Sequence, residues 1–276
     1  MTSIFPLCIL VLSFLLSSID GNALVPSHGL ESCGGTLYVE DAVVIDVPHQ
    51  ENCIWKVHTD KDHILVFSLA DGGHFEQIRE FTTIHDGLDE KDPILLLENQ
   101  MQHEVGLTRA ESLNSVYTTS SEAGVRFKKA PTSTFKLRIQ RAVNCPFNIG
   151  SESQCGRILD EVSCYCATFT KRSQPSQSSF CISSQMKLLA IESFAEEQAV
   201  HINWPTTYFW TSGSDSATEG IWFWESTGAK LYPGYANWGN SEPDTVDSED
   251  CIIIHSTVGW QDYTCGSGYD GICEAK

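Results

Sequence analysis

The amino-acid sequence predicts two domains, an all-β sandwich followed by an α+β domain. The chain has 276 residues, more than one small domain usually needs. Residues 33–141 contain short segments rich in Val, Ile, Thr, Phe and Tyr, whereas helical patterning and six of the seven tryptophans come after Cys145. The short joint at residues 142–144 is not rich in Gly or Ser, so we expect the two domains to keep a preferred mutual orientation.

The first two dozen residues are typical of a secretory signal. Ile4 to Leu16 form an apolar run of about 13 residues, too short to span a bilayer but long enough for the core of a signal peptide. Gly21 and Ala23 then supply the small residues of a cleavage site, although no Lys or Arg precedes the run. We therefore expect residues 1–23 to be a signal peptide and the mature protein to be secreted, without a membrane span.

Cysteine and charge content narrow the function classes. Removing Cys8 with the signal leaves ten of the 11 cysteines, an even number that suits disulfides in an oxidising compartment. The formal net charge of −19 would repel nucleic acid and anionic membranes. No arrangement of Ser, His and Asp or of Cys and His marks a nucleophile. We expect a binding protein, not an enzyme, with no nucleic acid as a partner.

The first domain is predicted to consist of short antiparallel strands. Gly, Asp and Pro interrupt its apolar, β-branched and aromatic segments roughly every eight to fifteen residues, a spacing typical of a sandwich. The segments are residues 37–47, 53–57, 63–69, 81–85, 94–97, 115–119, 124–128 and 134–139.

This region resembles a CUB domain in the order of its motifs. Cys33-Gly34-Gly35 opens it, and Cys53-Ile54-Trp55 is similar to the second cysteine and buried tryptophan of that family. Ile84-His85-Asp86-Gly87 is similar to its central strand and Asp-Gly turn, and residues 119–121 and 135–139 to its last strands. The resemblance covers residues 33–141 and implies an all-β CUB sandwich, a Cys33–Cys53 disulfide and an interaction module with a protein partner.

The sequence leaves open whether this domain binds calcium. The family's calcium site uses an acid six residues before the Asp-Gly turn, and Glu80 stands there in place of the usual aspartate. Asp86 and the poorly aligned Asp71 would complete the ligands. In the alternative interpretation, Glu80 and Asp86 are solvated turn residues.

Two helices are predicted in the second domain. Ser193 and Glu196 have the spacing of a capping box, and the helix that follows is expected to bury Phe194, Ala195, Val200 and Ile202. The other helix is expected between Ser173 and Ser183, with Pro175 tolerated in its first turn.

The second domain resembles a C-type lectin-like domain over residues 145–276. Residues 209–213 are similar to the strand after the family's second helix, and Glu242-Pro243-Asp244 occupies the position of its sugar-reading tripeptide. The resemblance implies an α+β fold of two helices, antiparallel sheets and long calcium-binding loops. The other matching motifs are Asp215, Glu219-Gly220 and Trp222, Glu249-Asp250-Cys251, Trp260-Gln261-Asp262, Cys265, and Ile272-Cys273-Glu274.

The resemblance also implies two disulfides, Cys181–Cys273 and Cys251–Cys265. The other four cysteines allow three pairings, among which the sequence does not choose; they are Cys145, Cys155, Cys164 and Cys166. The aromatic residues of this domain divide into two groups. Trp210, Trp222 and Trp224 are expected in the core. A second group lies nearer the tripeptide, and one of its members could stack on a sugar; it comprises Tyr232, Tyr235 and Trp238.

Acidic residues cluster where the resemblance places calcium. Residues 240–250 contain five Asp or Glu side chains, which would repel one another without a cation, and calcium takes about six to eight oxygen ligands. If the peptide before Pro243 is cis, as the resemblance implies, the side chains beside it turn toward one point. The predicted sugar-facing site is Glu242, Asp244, Glu249 and Asp262. A second, structural site is Asp215, Glu219, Asp250 and one of Asp247 or Thr245.

The tripeptide does not predict a sugar class. In the family, Glu-Pro-Asn is associated with mannose-type sugars and Gln-Pro-Asp with galactose-type sugars, and each pairs an acceptor with an amide donor. Here Glu242 and Asp244 are both acceptors, and Gln261 stands where asparagine is usual. The predicted carbohydrate-binding residues are Glu242, Asp244, Glu249, Gln261 and Asp262.

Two functions are compatible with this sequence. The first is a secreted lectin that recognises glycans or glycoproteins through calcium, on microbes in innate immunity or on neighbouring cells. The second is an interaction protein in which calcium only orders the loops and both domains bind protein.

Overall fold

The structure is a computed structural model, and it describes residues 34–46, 52–71, 75, 78–95, 115–128, 135–244 and 248–276. The predicted signal peptide, Cys33, Thr245 and Asp247 lie outside the described residues. Among the helices of the described residues, none is both long enough and apolar enough to cross a bilayer.

In the described part of residues 35–143, eight strands form two four-stranded sheets. Strands β1 (Gly35–Tyr38), β3 (Cys53–His58), β7 (Glu122–Phe127) and β5 (Thr82–His85) form one sheet in that order. Strands β2 (Ala42–Asp46), β8 (Lys136–Val143), β4 (His63–Leu69) and β6 (Val116–Tyr117) form the other. Neighbouring strands in these two sheets run antiparallel, apart from the parallel pair β1–β3.

One apolar core joins the two sheets. In β3 the alternate residues Cys53, Trp55 and Val57 are buried while Ile54 and Lys56 are exposed, as the period of two in a half-buried strand requires. The same core contains side chains of the other sheet, among them Phe67, Leu137 and Ile139. Burying one such side chain contributes roughly 1.5–3 kcal/mol, so the two sheets stabilise each other as a sandwich.

The strands occur where the sequence predicted them, with two differences. Residues 37–47 were expected to be one strand, but two strands lie there, because the chain bends at Glu40 and Asp41 and passes from one sheet to the other. Of the predicted strand 94–97, Ile94 forms a single bridge with His85, and residues 96–97 lie outside the described residues.

A mixed sheet with two helices forms the rest of the fold. Its central strands run in the order β14 (Ala229–Lys230), β13 (Phe223–Trp224), β12 (Phe209–Ser214), β17 (Tyr269–Ala275), β10 (Cys164–Arg172) and β9 (Ser153–Gly156). Strand β11 (Lys187–Leu188) pairs with β17, and β15 (Cys251–His255) pairs with β12 and with β16 (Gly259–Tyr263). Paired strands in this sheet run antiparallel, except for the parallel pair β12–β17.

Both predicted helices are present. Helix α1 (Gln174–Ser183) has Pro175 in its first turn, where a missing N–H costs nothing. Helix α2 (Phe194–Asn203) begins after Ser193, whose hydroxyl oxygen accepts the N–H of Glu196 at 3.2 Å. In a capping box the Glu196 carboxylate would accept the N–H of Ser193 in return. Here it accepts the N–H of the preceding residue, Glu192, at 2.9 Å.

The predicted buried face of α2 is wrong for three of its four residues. Val200 is buried, but Phe194 is 62% exposed, Ile202 is 75% exposed and Ala195 is also exposed. The helix buries two carboxylates beside Val200 and Ala199, those of Glu196 and Glu197. A helix can bury charged groups when other parts of the fold supply their hydrogen bonds, and both carboxylates have such partners.

Disulfides cross-link this second part of the chain. The structure pairs Cys181 with Cys273 and Cys251 with Cys265, the two pairs that the resemblance implied. Of the three open pairings, it contains Cys145–Cys164 with Cys155–Cys166. Cys53 is disulfide-bonded as well. The expected core tryptophans, Trp210, Trp222 and Trp224, are at most 3% exposed.

Candidate metal and ligand site

The carboxylates of Glu242, Asp244 and Asp262 converge at one end of the mixed sheet. One oxygen from each lies within 4.8 Å of the others. Asp262 lies on β16 opposite Ile252 of β15 and is 5% exposed, whereas Glu242 and Asp244 lie in the loop that precedes β15. We call these three residues the first acid cluster.

The loop reaches Asp262 because it follows β16 closely. Trp260 donates its N–H to the Asn237 carbonyl at 2.9 Å, and Gly239 donates its N–H to the Trp260 carbonyl at 2.8 Å. A Cβ atom on Gly239 would lie 2.5 Å from the Val258 carbonyl oxygen, so only glycine allows this approach. The peptide between Glu242 and Pro243 is cis.

Asp262 carries an oxygen that needs a partner. Its Oδ2 accepts the N–H of Asp244 at 3.1 Å, whereas its buried Oδ1 has no hydrogen-bond partner. Burial, together with the neighbouring Glu242 carboxyl, raises the pKa of Asp262 to about 6. An ionised, partly unpartnered carboxylate beside two others is costly, and a cation bound between them would offset that cost.

Glu249 and Gln261 lie beside this cluster but are not part of it. Burial raises the pKa of Glu249, and the negative charges of Asp244 and Asp262 raise it further. The Glu249 carboxyl therefore interacts electrostatically with two members of the cluster. Gln261 donates from Nε2 to the Glu242 carboxylate at 3.3 Å. The amide that stands in place of the usual asparagine therefore contacts one member of the cluster.

A second acid cluster contains Asp215, Glu219 and Asp250, with one oxygen from each within 4.8 Å of the others. Asp215 follows β12 and is 2% exposed; its Oδ2 accepts the N–H of Gly220 at 2.8 Å. Its Oδ1 is buried without a hydrogen-bond partner. Burial raises the pKa of Asp215, and the Gly220 N–H offsets only part of that effect. The structure does not describe Asp247 or Thr245, the remaining predicted members.

Adjacent strands hold the two clusters together. Ser214 of β12 lies opposite Cys251 of β15, and Ile252 lies opposite Asp262 of β16. The Cys251–Cys265 disulfide ties the start of β15 to the residues after β16. The acids at positions 215, 250 and 262 are therefore attached to strands that a disulfide cross-links, whereas Glu242 and Asp244 belong to the loop before β15.

Both clusters fit a hard divalent cation. Their side chains offer oxygen atoms alone, which suits calcium or magnesium, whereas zinc favours nitrogen and sulfur ligands. The unpartnered buried oxygens of Asp215 and Asp262 are each placed to take one ligand position. Calcium prefers more oxygens than either cluster supplies, and backbone carbonyls, water and a bound ligand are the usual sources of the others.

Among the described residues of the N-terminal half, Asp60, Asp62 and His63 form one further group of this kind. Asp60 accepts hydrogen bonds from Tyr38 and from Arg141, the latter at 2.9 Å, and Asp62 contacts His63 at 2.9 Å. These acids already have protein partners. Within the described residues, Asp71, Glu80 and Asp86 do not form such a group, and both Asp86 oxygens accept hydrogen bonds from Thr119.

Glu197 is a residue that sequence reasoning missed. It is fully buried on α2, and its carboxylate accepts hydrogen bonds from Trp260 Nε1 at 2.8 Å, from Asn237 Nδ2 at 3.0 Å and from the Tyr235 hydroxyl. Burial would raise its pKa, but these bonds and one from His201 outweigh burial and hold the pKa below its usual value. Glu197 therefore anchors both the loop and the strand that carry the first acid cluster.

The aromatic residues near the loop are partly exposed. Tyr232 is 50% exposed, and its hydroxyl accepts the Trp238 Nε1–H at 2.7 Å. Trp238 packs against Trp222 and Trp260, and Tyr235 is held by Glu197. Tyr232 is thus the most exposed of the three residues considered for stacking on a sugar.

Comparison with known proteins agrees with this architecture. The family model "Lectin C-type domain" matches residues 170–275. The C-type lectin mosGCTL-7 of Aedes aegypti is 31% identical over 112 residues, which cover 35% of this chain and 73% of that protein. The chain belongs to the C-type lectin family.

Other members of the family are also similar to this chain. The human C-type lectin domain family 10 member A is 29% identical over 137 residues, which cover 46% of this chain and 42% of that protein. Among solved structures, the carbohydrate-recognition domain of the mouse scavenger receptor C-type lectin matches at 24% identity and a TM-score of 0.40, over 46% of this chain and 94% of that one. Each of these matches covers less than half of the chain, and the family model lies within the second domain.

Proposed function

We propose that this protein is a secreted, calcium-dependent carbohydrate-binding lectin. The observation that carries the proposal is the pair of acid clusters, each with a buried carboxylate oxygen that lacks a protein partner. Membership of the C-type lectin family supports the choice of calcium and of glycans or glycoproteins as ligands, including those of microbial or cell surfaces.

Each cluster has a distinct role in this proposal. Glu242, Asp244 and Asp262, with Glu249, would hold the sugar-facing calcium, and Asp215, Glu219 and Asp250, with Asp247 or Thr245, would hold a structural calcium. When bound, calcium would supply a positive centre able to attract the hydroxyl oxygens of a sugar. The surrounding carboxylates would accept hydrogen bonds from those hydroxyls, and Gln261, which contacts Glu242, is an amide donor beside them.

The N-terminal half has a supporting role in this proposal. We propose domain limits of 33–141 for a CUB interaction module and 145–276 for the lectin domain, after a signal peptide at residues 1–23. Two packed sheets and a buried Trp55 support the CUB assignment, as does the positive φ of 133° at Gly87 in the Asp-Gly turn. We propose no calcium site in this module, because Asp86 is already bonded to Thr119.

A second candidate function is a calcium-ordered protein-binding module without sugar binding. One contact favours it: the Gln261 amide already donates to Glu242, and Asp244 has no amide to offer. A sugar would have to displace that contact or do without a donor.

A glycan-array screen in calcium and in chelator tests the proposal, with calorimetry of calcium binding alongside. We expect calcium-dependent glycan binding that is lost in Asp262→Asn and kept in Glu152→Gln, which changes an exposed acid outside both clusters. Calcium binding without any calcium-dependent glycan signal would reject the lectin function and favour the second candidate. Absence of calcium binding would reject both.

A further inference from the structure

A cavity of about 410 Å³ lies in the first domain, against the sheet formed by β1, β3, β7 and β5. Its volume suits a small ligand, since ligand pockets usually measure about 300–1,000 Å³. The residues that line it and matter here are Asn52, Thr83, His85, Glu90, Arg126 and Lys128.

Strand register shows that the cavity lies on the face of this sheet that points away from the core. In β5, Thr82 and Ile84 lie opposite Phe127 and Val125 of β7, and Ile84, Phe127 and Val125 belong to the apolar core. Because side chains alternate across a strand, Thr83 and the Arg126 opposite it face the other way. The segment after β5 runs along the edge of this sheet, where Ile94 forms a bridge with His85, and Ile94 also lines the cavity.

Thr83 presents a hydroxyl without a partner. The residue is only 5% exposed, and its Oγ1 is buried without a hydrogen-bond partner, although it lines an open cavity. Leaving a buried hydroxyl unbonded costs about 1–3 kcal/mol. A ligand in the cavity that accepts a hydrogen bond from Thr83 would recover that energy.

The charges around the cavity select an anion. Arg126 and Lys128 contribute two cations, although the whole chain has a formal net charge of −19. Glu90 pairs with Arg126 at 2.8 Å, but its side chain is 64% exposed, so this ion pair is weak and exchangeable. Within the described residues Lys128 has no ion-pair partner.

Hydrogen-bonding groups of both kinds complete the lining. The Nδ1 atom of His85 lies 3.1 Å from the Asp92 carbonyl oxygen. Because a carbonyl oxygen can only accept, Nδ1 donates there, and the Nε2 atom is left to bond to a ligand. The side-chain amide of Asn52 can donate or accept. Such a lining suits a ligand that carries hydroxyl groups besides its anionic group.

We propose that this cavity binds an acidic, monosaccharide-sized ligand. Its carboxylate or sulfate group contacts Arg126 and Lys128 and accepts the Thr83 hydroxyl, and its hydroxyl groups bond to His85 and Asn52. The site is separate from the acid clusters of the lectin domain, and its occupancy does not require calcium.

Thr82 and Thr83 provide a matched pair for the test. Both are buried with unpartnered hydroxyls, but the strand register turns Thr82 toward the core. Thr82→Val and Thr83→Val each replace a hydroxyl by a methyl group of similar size. Both variants should be at least as stable as the unaltered chain, because an unsatisfied buried group is removed, whereas only Thr83→Val should weaken ligand binding.

The experiment is a titration of the full chain, in chelator and at low salt, followed by the backbone amide NMR signals of β5 and β7. The probes are glucuronate, a sulfated glucose and neutral glucose. We expect at least one acidic sugar to bind and glucose not to, with about tenfold weaker binding in Lys128→Gln and in Thr83→Val and unchanged binding in Thr82→Val. Added salt should weaken binding as well.

Each outcome decides the proposal. Binding of glucuronate alone or of the sulfated sugar alone supports it and identifies the anionic group. Equal binding of glucose and the acids, no binding of either acid, or equal losses in the two valine variants would overturn it. Because chelator is present throughout, failure here leaves the proposed calcium-dependent lectin function untouched, and failure of the lectin function leaves this site untouched.

Discussion

Two buried carboxylate oxygens distinguish the acid clusters from an ordinary solvated loop. Asp215 Oδ1 and Asp262 Oδ1 lack hydrogen-bond partners, and burial raises the pKa of both residues. Exposed acids tolerate crowding because water screens them, but these two residues are at most 5% exposed. Without a cation, each cluster is therefore a local source of instability.

This cost leads to a prediction for Asp215→Asn and Asp262→Asn. Each substitution should remove one calcium site and leave the other, lowering affinity at the altered site by about tenfold or more. In chelator both variants should be more stable than the unaltered chain, by about 1 kcal/mol, because an uncompensated buried charge is removed. Calorimetry of calcium binding and urea unfolding measure the two effects, with Glu152→Gln as the control. Two intact sites in both variants would contradict the assignment of ligands.

Glu274 gives a prediction about pH. It is 4% exposed, and burial raises its pKa from 4.5 to about 7, although the Lys276 ammonium, 2.8 Å away, opposes the rise. In the unfolded chain the Glu274 carboxyl loses its proton near its ordinary pKa of 4.5, whereas in the folded chain it keeps the proton up to about pH 7. Between these two pH values the folded state therefore binds more protons than the unfolded state. Stability from this residue is present below about pH 4.5 and is lost as pH rises through about 7.

The matching experiment is urea unfolding of the unaltered chain and Glu274→Gln over this pH range. The amide oxygen of glutamine can still accept the Ala190 N–H, which Glu274 accepts at 2.9 Å. We expect the stability of the unaltered chain to fall relative to the variant as pH rises from about 4.5 to about 7, by about 3 kcal/mol or less. Glu152→Gln serves as the exposed control. Parallel pH profiles of the unaltered chain and Glu274→Gln would refute the burial of Glu274 as the cause of the pH dependence.

At the scale of elements, α2 shows what a sequence can and cannot predict. Its start depends on Ser193 and Glu196, neighbours along the chain, and the prediction of that start is confirmed. Its buried face depends on partners far away in sequence, such as Tyr165 for Glu196 and Trp260 for Glu197. Apolarity alone predicted burial of Phe194 and Ile202, which are exposed, because no local signal reveals those partners.

The candidate site divides in the same way. Spacing and family resemblance predicted two groups of acids, and the structure brings Glu242 together with Asp244 and Asp262, and Asp215 with Glu219 and Asp250. The predicted Glu249 lies outside the first of these groups. Spacing and resemblance did not indicate Glu197, which accepts hydrogen bonds from Tyr235 and Asn237 of the loop. They did not indicate the cavity beside Thr83 either. Both depend on which strand or loop lies opposite a given side chain, and register of that kind is a property of the whole fold.

Glu197→Gln tests the link between α2 and the first acid cluster. Glutamine keeps one acceptor oxygen and turns an NH₂ group toward donors, so some bonds from Tyr235, Asn237 and Trp260 must be lost. We expect a loss of about 2–4 kcal/mol in the free energy of unfolding. Calcium affinity should fall several-fold at the site of Asp262, because Glu197 bonds to Trp260 of β16 and to Asn237 of the loop before β15. It should stay unchanged at the site of Asp215, because the side-chain hydrogen bonds of Glu197 reach neither β12 nor the residues that follow it.

The control for this prediction is Gln198→Ala, which changes an exposed neighbour on the same helix. Calorimetry resolves the two calcium sites, and urea unfolding measures stability. A purely structural role would lower stability while leaving both calcium affinities as they were, and that outcome would reject Glu197 as a positioning residue.

At the scale of the whole molecule, Arg157 joins the segment before β10 to the first sandwich. It is 3% exposed, and its guanidinium donates to the carbonyls of Val143 at 2.7 Å and Val162 at 3.1 Å. The same group stacks over the Tyr117 ring of β6 at 4.6 Å. Nearby, the Ser115 hydroxyl donates to Glu161 at 2.5 Å. These contacts give the short joint a physical basis for a preferred orientation of the two halves.

Arg157→Met should therefore weaken the contact between the two halves. Methionine keeps part of the apolar stem, but it removes the guanidinium donor from the Val143 and Val162 carbonyls, of which Val162 still accepts the Val143 N–H at 3.0 Å, and it removes the stacked cation. We expect a loss of about 2–4 kcal/mol in stability and a larger radius of gyration by solution X-ray scattering. Arg172→Met is the matched control, because Arg172 stacks on Phe180 at 4.2 Å within the lectin domain and should lower stability without changing the scattering. If Arg157→Met and the unaltered chain scatter alike, the orientation is set by other contacts and Arg157 serves only the local packing of its own segment.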